Sequence, residues 1–304
     1  MEAIKTEGLG KVYKSGFKKI KALENLSLSI GGGEVFGFLG PNAAGKTTTI
    51  KILTHLTFPT SGSAWVLGEA VGSPNVKHRI GYLPENPSFY PNLTAVELLS
   101  FYSQLFGLSG RRCRERIKEL LNMVGLEQAG KLSVGSYSKG MLQRIGMAQS
   151  LLNDPDLVIL DEPLAGVDPV GRKSLRDLIL RLKKAGKTVF FSTHILQDVE
   201  LICDRVGILI NGRLVSVGRL ADILTEQVES IEITGRDVSR DAFEGLNRIA
   251  LHLVGDSDKW MVVVKDDAAV DRVWEIVSLG KGKINSIVPR TRTLEDHFIE
   301  KMRE

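Results

Sequence analysis

From the N-terminus to about Gly218, short unbroken apolar runs alternate with stretches of helical spacing. Val35–Leu39 (VFGFL), Leu157–Leu160 (LVIL), Thr188–Phe191 (TVFF) and Val206–Ile210 (VGILI) are each followed by a polar residue or glycine. A strand wetted on one side alternates apolar with polar. Unbroken runs this short predict strands buried on both faces, in a parallel sheet sheathed by helices. Between Thr94 and Leu152 the period becomes helical, over Ser100–Leu121 and Met141–Leu152. Thr94-Ala-Val-Glu97 opens that stretch as a capping box, in which the Thr and Glu side chains satisfy each other's backbone N–H groups. The pattern predicts a helical insertion, about 94–152, between two halves of the sheet in a domain spanning 1–220.

Residues 221–304 read as a smaller α+β domain. Glu229–Ile233, Ile249–Val254, Trp260–Lys265 and Lys283–Val288 have strand character; Asp241–Leu246, Ala268–Ser278 and Leu294–Met302 have helical character. The order βαββαβ followed by a helix predicts a ferredoxin-like arrangement.

Composition narrows the function. A chain of 304 residues can build one large core and a second small one. A net charge of +4 over that length makes no case for a nucleic-acid partner, which calls for clustered excess base. The two cysteines, Cys113 and Cys203, have no ligand spacing, so a reducing compartment fits and nothing argues for structural zinc. No run approaches the ~18–20 apolar residues of a spanning helix. Work at a membrane would therefore require another chain.

Gly40-Pro41-Asn42-Ala43-Ala44-Gly45-Lys46-Thr47, followed by Thr48, matches GxxxxGK[ST]. It follows the Val35–Leu39 strand and precedes a helical pattern over Thr47–Leu56, the context a phosphate loop needs. Its backbone N–H groups would cradle phosphate oxygens, with the helix N-terminus adding partial positive charge. Lys46 would reach the terminal phosphates, and the Thr47 hydroxyl suits Mg²⁺, a hard cation. The Leu157–Leu160 strand ends in Asp161-Glu162. Asp161 can hold the metal ion, and Glu162 can orient and polarise an attacking water. Either segment alone could be a plain glycine turn or an acidic strand end; together they point to ATP with Mg²⁺.

These residues, and others across roughly 2–220, resemble the nucleotide-binding subunits of ABC transporters. Ser136-Tyr-Ser138-Lys139-Gly140-Met141-Leu-Gln143 is similar to the signature segment that usually reads LSGGQ. Ala165-Gly-Val-Asp168-Pro169 resembles the D-loop, Ser192-Thr-His194 the H-loop, and Pro84-Glu85-Asn86 the Q-loop. Tyr13, ahead of the first strands, stands where the family stacks an aromatic on adenine. The resemblance implies an ATPase closed as a homodimer across ATP. Ser138, Lys139, Gly140 and Asp168 of one copy would complete the site of the other. Glu162 and His194 would be catalytic, and Thr47, Asp161 and Glu85 would serve the metal. It further implies an integral membrane permease partner and a cytoplasmic location on the inner face of the membrane. Asn86–Asn92, with Phe89 and Tyr90, lies between the Q-loop and the helical insertion and is the stretch expected to touch a helix of that partner. Other readings of single residues stand beside these: Asp168 before Pro169 is also an ordinary helix cap, and Tyr13, Phe89 and Tyr90 could simply pack.

The chain departs from the family at Ala43, where glycine is usual, and at Lys139 and Met141. It also carries Glu85 for glutamine. The Tyr82-Leu-Pro-Glu85 form resembles the export branch, as, more loosely, does the extension after Gly218. Rival readings are a non-transport ABC ATPase and a small-molecule kinase built on the same phosphate loop.

Overall fold

The computed structural model describes residues 2–16, 18–223, 228–291 and 293–303. It divides into two compact units, Met1–Leu220 and Ala221–Glu304.

In chain order the first unit runs β1 (Glu2–Ser15), β2 (Lys18–Gly31), β3 (Val35–Leu39), α1 (Lys46–Leu53), β4 (Ser61–Val66), β5 (Glu69–Ala70), α2 (Pro74–Lys77) and β6 (Ile80–Leu83). It continues with α3 (Ala95–Leu105), α4 (Gly110–Met123), α5 (Lys139–Ser150), β7 (Leu157–Leu160), α6 (Pro169–Lys184), β8 (Thr188–Thr193), α7 (Leu196–Ile202), β9 (Arg205–Ile210) and β10 (Arg213–Arg219). A short helix, α8 (Leu220–Ile223), crosses the division. The central sheet has the order β10-β9-β3-β8-β7-β6 and is parallel except for β10. Every residue of β3, β7 and β8 is buried, as the unbroken apolar runs predict. Successive residues serve opposite faces. Val35, Val158, Leu160, Val189 and Phe191 pack into a core shared with the helical insertion. Phe36, Phe38, Leu157, Ile159 and Phe190 pack into a second core beneath an antiparallel sheet of order β2-β1-β4-β5.

The insertion starts with the expected capping box: Glu97 N donates to Thr94 Oγ1 at 3.2 Å and Thr94 N to Glu97 Oε2 at 2.8 Å. The single helical run expected over Ser100–Leu121 is two helices. Gly107 (φ 70°) and Gly110 (φ 63°) adopt left-handed angles that stop α3 and start α4 on a new axis. On α4, Cys113, Ile117, Leu120 and Leu121 form the buried stripe.

The second unit contains β11 (Val228–Arg236), α9 (Arg240–Ile249), β12 (His252–Gly255), β13 (Lys259–Val264), α10 (Asp267–Leu279), β14 (Lys283–Thr291) and α11 (Leu294–Arg303). The sheet order is β12-β13-β11-β14, every neighbouring pair antiparallel, which is the ferredoxin-like arrangement. The strand expected from Ile249 begins only at His252. Ile249 instead closes α9, whose N-cap Ser239 accepts from Ala242 N at 3.3 Å.

Among the described residues, no helix is long and apolar enough to cross a membrane.

Candidate functional site

The site is built where β3 ends. Gly40–Gly45 forms the loop, and Gly45 caps α1 at φ 108°. A Cβ on Gly45 would lie 2.4 Å from the Ala22 carbonyl oxygen, and one on Gly40 2.3 Å from that of Leu209. Neither position has room for a side chain. Ala43 lies at φ 64°, in the left-handed region where a Cβ costs about 1–2 kcal/mol. The substituted glycine position therefore does carry the unusual angle that its family usage suggests.

Lys46 is 6 % exposed. Its ammonium donates to the carbonyl oxygens of Gly40 (2.6 Å) and Pro41 (3.1 Å) and lies 3.3 Å from Glu162 Oε1. Three oxygens stand ready for the three N–H donors of an ammonium, so its burial leaves no donor unpaired.

Asp161 and Glu162 continue β7, side by side with Ser192 on β8 through the parallel pairing Leu160↔Phe191. Ser192 Oγ donates to Asp161 Oδ1 at 2.6 Å and accepts the Glu162 backbone N–H at 2.9 Å. One hydroxyl thus fixes both acids. Sequence reasoning read Ser192 only as the start of Ser-Thr-His; its signal was a hydroxyl at the end of a strand adjacent to the acidic one. Thr47 Oγ1 also donates to Asp161 Oδ1, at 3.2 Å. Asp161 Oδ2 is buried with no hydrogen-bond partner among the described residues. Burial pushes the Asp161 carboxyl above its ordinary 3.8; the hydrogen bonds from Ser192 and Thr47 work against the rise. Glu162, at φ 48°, directs Oε2 to His194 Nδ1 at 3.0 Å. Its carbonyl oxygen accepts from the buried Gln143 Nε2 at 3.4 Å.

Lys46, Thr47, Glu162 and His194 line a cleft of about 550 Å³ together with Ile20–Ala22, Asn42–Gly45, Thr48, Glu85 and Ala165. Ile20–Ala22 were not anticipated. Tyr13 lies within β1, not ahead of the first strands, and pairs with Ile20; Ile20 lines the cleft and Tyr13 does not. The Lys11 ammonium sits 5.0 Å from the centre of the Tyr13 ring.

Ser138, Lys139, Gly140 and Asp168 do not line the cleft. Ser138 caps α5, accepting from Met141 N at 3.3 Å. Asp168 caps α6, accepting from Gly171 N at 2.9 Å, and that bond holds its carboxyl below the ordinary range. The two caps are neighbours. Lys139 lies over Gly166, where an added Cβ would meet its Cε at 2.7 Å; a Cβ on Gly140 would lie 3.9 Å from Asp168 Oδ2.

Among the described residues no trio of His, Cys, Asp or Glu side chains could hold a metal ion. An unpartnered carboxylate oxygen beside a threonine hydroxyl nevertheless fits Mg²⁺, which binds through one or two protein oxygens plus substrate phosphates.

Comparison with known proteins places the chain in a family. The family model described as ABC transporter matches residues 23–165. An ABC transporter ATP-binding protein of Synechocystis sp. is 42 % identical over 308 residues, covering 99 % of this chain and 85 % of that protein. The bacitracin transport ATP-binding protein of Bacillus licheniformis is 43 % identical, covering 69 % of this chain and 68 % of its own. Among solved structures, the dimeric ATP-binding cassette MJ0796 with ADP and phosphate aligns with a TM-score of 0.67 at 27 % identity, covering 71 % of this chain and 98 % of that one. An ABC transporter ATP-binding subunit aligns at 0.66 with 32 % identity, covering 73 % and 91 %. With its phosphate loop, paired acids and cassette fold, the chain belongs to the ATP-hydrolysing, ATP-binding subunits of ABC transporters.

Proposed function

We propose that two copies of this chain close face to face on ATP, and that hydrolysis drives export through a separate membrane-spanning partner at the inner face of the cell membrane. One observation carries the dimer. The chain has a cleft lined by Lys46, Thr47, Glu162 and His194, and a helix tip, Ser138–Gly140, that does not line that cleft. A helix N-terminus led by a serine suits a phosphate, and a second copy supplies one to each cleft. MJ0796 as a dimer with ADP and phosphate supports the same reading.

In this mechanism the loop N–H groups and Lys46 hold the β- and γ-phosphates. Lys46 exchanges its loop carbonyls for phosphate oxygens. Thr47 and Asp161 would hold a Mg²⁺ ion, with Glu85 on the cleft wall, and the bound ion would supply charge neutralisation to the phosphates. Glu162 takes the proton of the attacking water. His194, fixed on Glu162 Oε2, steadies the transferred group. Ile20–Ala22 form the cleft wall beyond the phosphates and would receive the nucleoside end.

Export is supported by relatives named for bacitracin transport, linearmycin resistance and Nod factor export. The docking reading of Asn86–Asn92 divides between its two aromatics. Phe89 packs into the helical core. Tyr90 is 58 % exposed and lies edge-on to Phe101, 5.9 Å between ring centres, with Leu105 exposed one turn further along α3. Tyr90, Phe101 and Leu105 would receive the membrane partner.

The deciding experiment is gel filtration of Glu162→Gln. With Mg-ATP the variant is expected to run as a dimer, and without nucleotide as a monomer. A monomer under saturating Mg-ATP, with or without the membrane partner, sinks the proposal.

A further inference from the structure

His194 sits on a two-residue connection between β8, which ends at Thr193, and α7, which begins at Leu196. Its side chain is 44 % exposed, so little packing holds the ring in place. On the strand side, Ile195 N donates to Thr193 Oγ1 at 3.0 Å and ties the connection down. On the other side stands a helix of seven residues, too short to hold a position by its own hydrogen bonds.

A buried carboxylate anchors that helix. Asp198 is fully buried. Arg176 Nη1 donates to its Oδ1 at 3.1 Å, and Arg172 Nε stands 3.6 Å from its Oδ2. The two arginines lie one turn apart on α6, whose own N-cap is Asp168. Beneath α7, Gly37 of β3 leaves no slack: a Cβ there would meet Cys203 Sγ at 2.7 Å and Val199 at 3.3 Å. The helix is thus wedged between the strand that feeds the phosphate loop and the helix that follows the D-loop.

Stability does not account for ions at this place. Replacing a buried ion pair by apolar groups of similar volume is often neutral or favourable. Direction does account for it. An apolar contact tolerates a short helix that rotates or slides, whereas a carboxylate between two guanidinium groups accepts one register. The register is strict here because, among the described residues, Asp198 Oδ2 and Arg172 Nε are each already buried without a hydrogen-bond partner. A rotation that also broke the Arg176 contact would strand the whole cluster.

We infer that Asp198 is a positioning residue for ATP hydrolysis: held by Arg176 and Arg172, it fixes the short helix after His194 and so keeps the His194 ring on Glu162. The inference rests on the reading of Glu162 and His194 as the hydrolytic pair.

The test is a kinetic cycle on the full chain with Asp198→Asn, His194→Ala and the double variant, folding being checked by circular dichroism. Because misplacement by about 1 Å can cost about a hundredfold, Asp198→Asn is expected to lower kcat about tenfold while KM for ATP stays within about twofold. In the His194→Ala background the same substitution should cost less than about twofold, since residues acting through one another are not additive. Equal losses in both backgrounds overturn the inference, because a purely structural defect would add to the loss of His194. So does an unchanged kcat in Asp198→Asn when His194→Ala is impaired. If His194→Ala keeps full kcat, the hydrolytic reading fails and takes this inference with it. Should Asp198→Asn not fold, Arg176→Lys, which keeps a cation beside Oδ1, enters the same cycle with the same criterion.

Discussion

The two units of the molecule differ most in what they bury. The first encloses four charged side chains, Lys46, Asp161, Glu162 and Asp198; the second encloses none among the described residues. Its interior, around Ile233, Leu246, Trp260, Val262 and Val273, is apolar, and the Trp260 indole N–H lies buried without a partner among the described residues. An apolar core is the inexpensive way to make a fold, since each buried charge must be matched by oppositely charged or hydrogen-bonding neighbours. The first unit carries that expense at the ends of β3, β7 and β8 and along the helix that follows β8. Three of its four buried charges meet at one ammonium and two carboxylates around the cleft. Buried charge therefore gathers where the phosphate loop and the acidic strand end meet, whereas the described interior of the second unit is packed from apolar groups.

The sharpest way to break that contrast is Glu162→Gln. The amide keeps the shape and removes the base. Because a positioned general base contributes about 10²–10⁴-fold, kcat is expected to fall by at least about a hundredfold, with ATP affinity retained. Single-turnover hydrolysis measures it. A loss under tenfold would mean that the buried Glu162 only balances Lys46.

Asp161→Asn tests the cost directly. The folded Asp161 carboxyl lies above its ordinary 3.8 because burial disfavours its charge. A raised carboxyl favours the folded state while it is protonated. That contribution is present below pH 3.8 and is lost as pH rises through the folded value, so at neutral pH the charge is a burden on the fold. The variant is expected to melt at a higher temperature than the parent at pH 7, with the difference shrinking as pH falls toward 3.8. Mg²⁺-dependent hydrolysis should drop by about a hundredfold or more, the ion's contribution being several kcal/mol. A lower midpoint at pH 7 would show that Ser192 and Thr47 more than compensate the burial.

How much of this was legible in the sequence follows the same division. The strands of the central sheet could be read because burial on both faces leaves an unbroken apolar run, and the loop and acids because their chemistry is contiguous. β1 and β2 could not. Lysines and glycines interrupt their alternation, and bulges at Thr6/Leu9 and Leu9/Lys11 shift their register, so Tyr13 was placed before a strand it belongs to. The break between α3 and α4 was hidden because Gly107 and Gly110 stop a helix without disturbing its apolar period. The contacts that Ser192, Gln143 and the Asp198 cluster make were hidden for a different reason. Each joins residues 19 to 31 positions apart, and only the fold brings them together.

Leu246→Ala probes the second unit in its own terms. Leu246 is fully buried on α9, and such a truncation costs about 2–5 kcal/mol. Calorimetry is expected to show an early transition for this unit, while ATPase activity at 25 °C stays within about twofold of the parent, since among the described residues those lining the cleft end at His194. Activity falling in step with the melting of the second unit would dissolve the distinction between an interior that acts and one that packs.

The smallest effect comes from backbone strain, which the two units share. Ala43 in the phosphate loop and Lys281 between α10 and β14 both adopt left-handed angles, φ 64° and 57°. Replacing either by glycine removes a cost of about 1–2 kcal/mol and adds back about 0.4–1 kcal/mol of unfolded-chain entropy. Each variant is therefore expected to gain between about 0 and 1.6 kcal/mol in denaturant titrations. What separates them is ATP. If charge, rather than a stiff loop, holds the phosphates, strain at Ala43 is the same with and without nucleotide and cancels in the affinity. Ala43→Gly should then bind ATP within about twofold of the parent, since a tenfold change would require about 1.4 kcal/mol. Lys281→Gly should not alter it at all. A large loss of affinity in Ala43→Gly alone would mean that the stiffness imposed by a Cβ at φ 64° holds the N–H groups on the phosphates, and that the first unit uses backbone strain as well as buried charge to make its site.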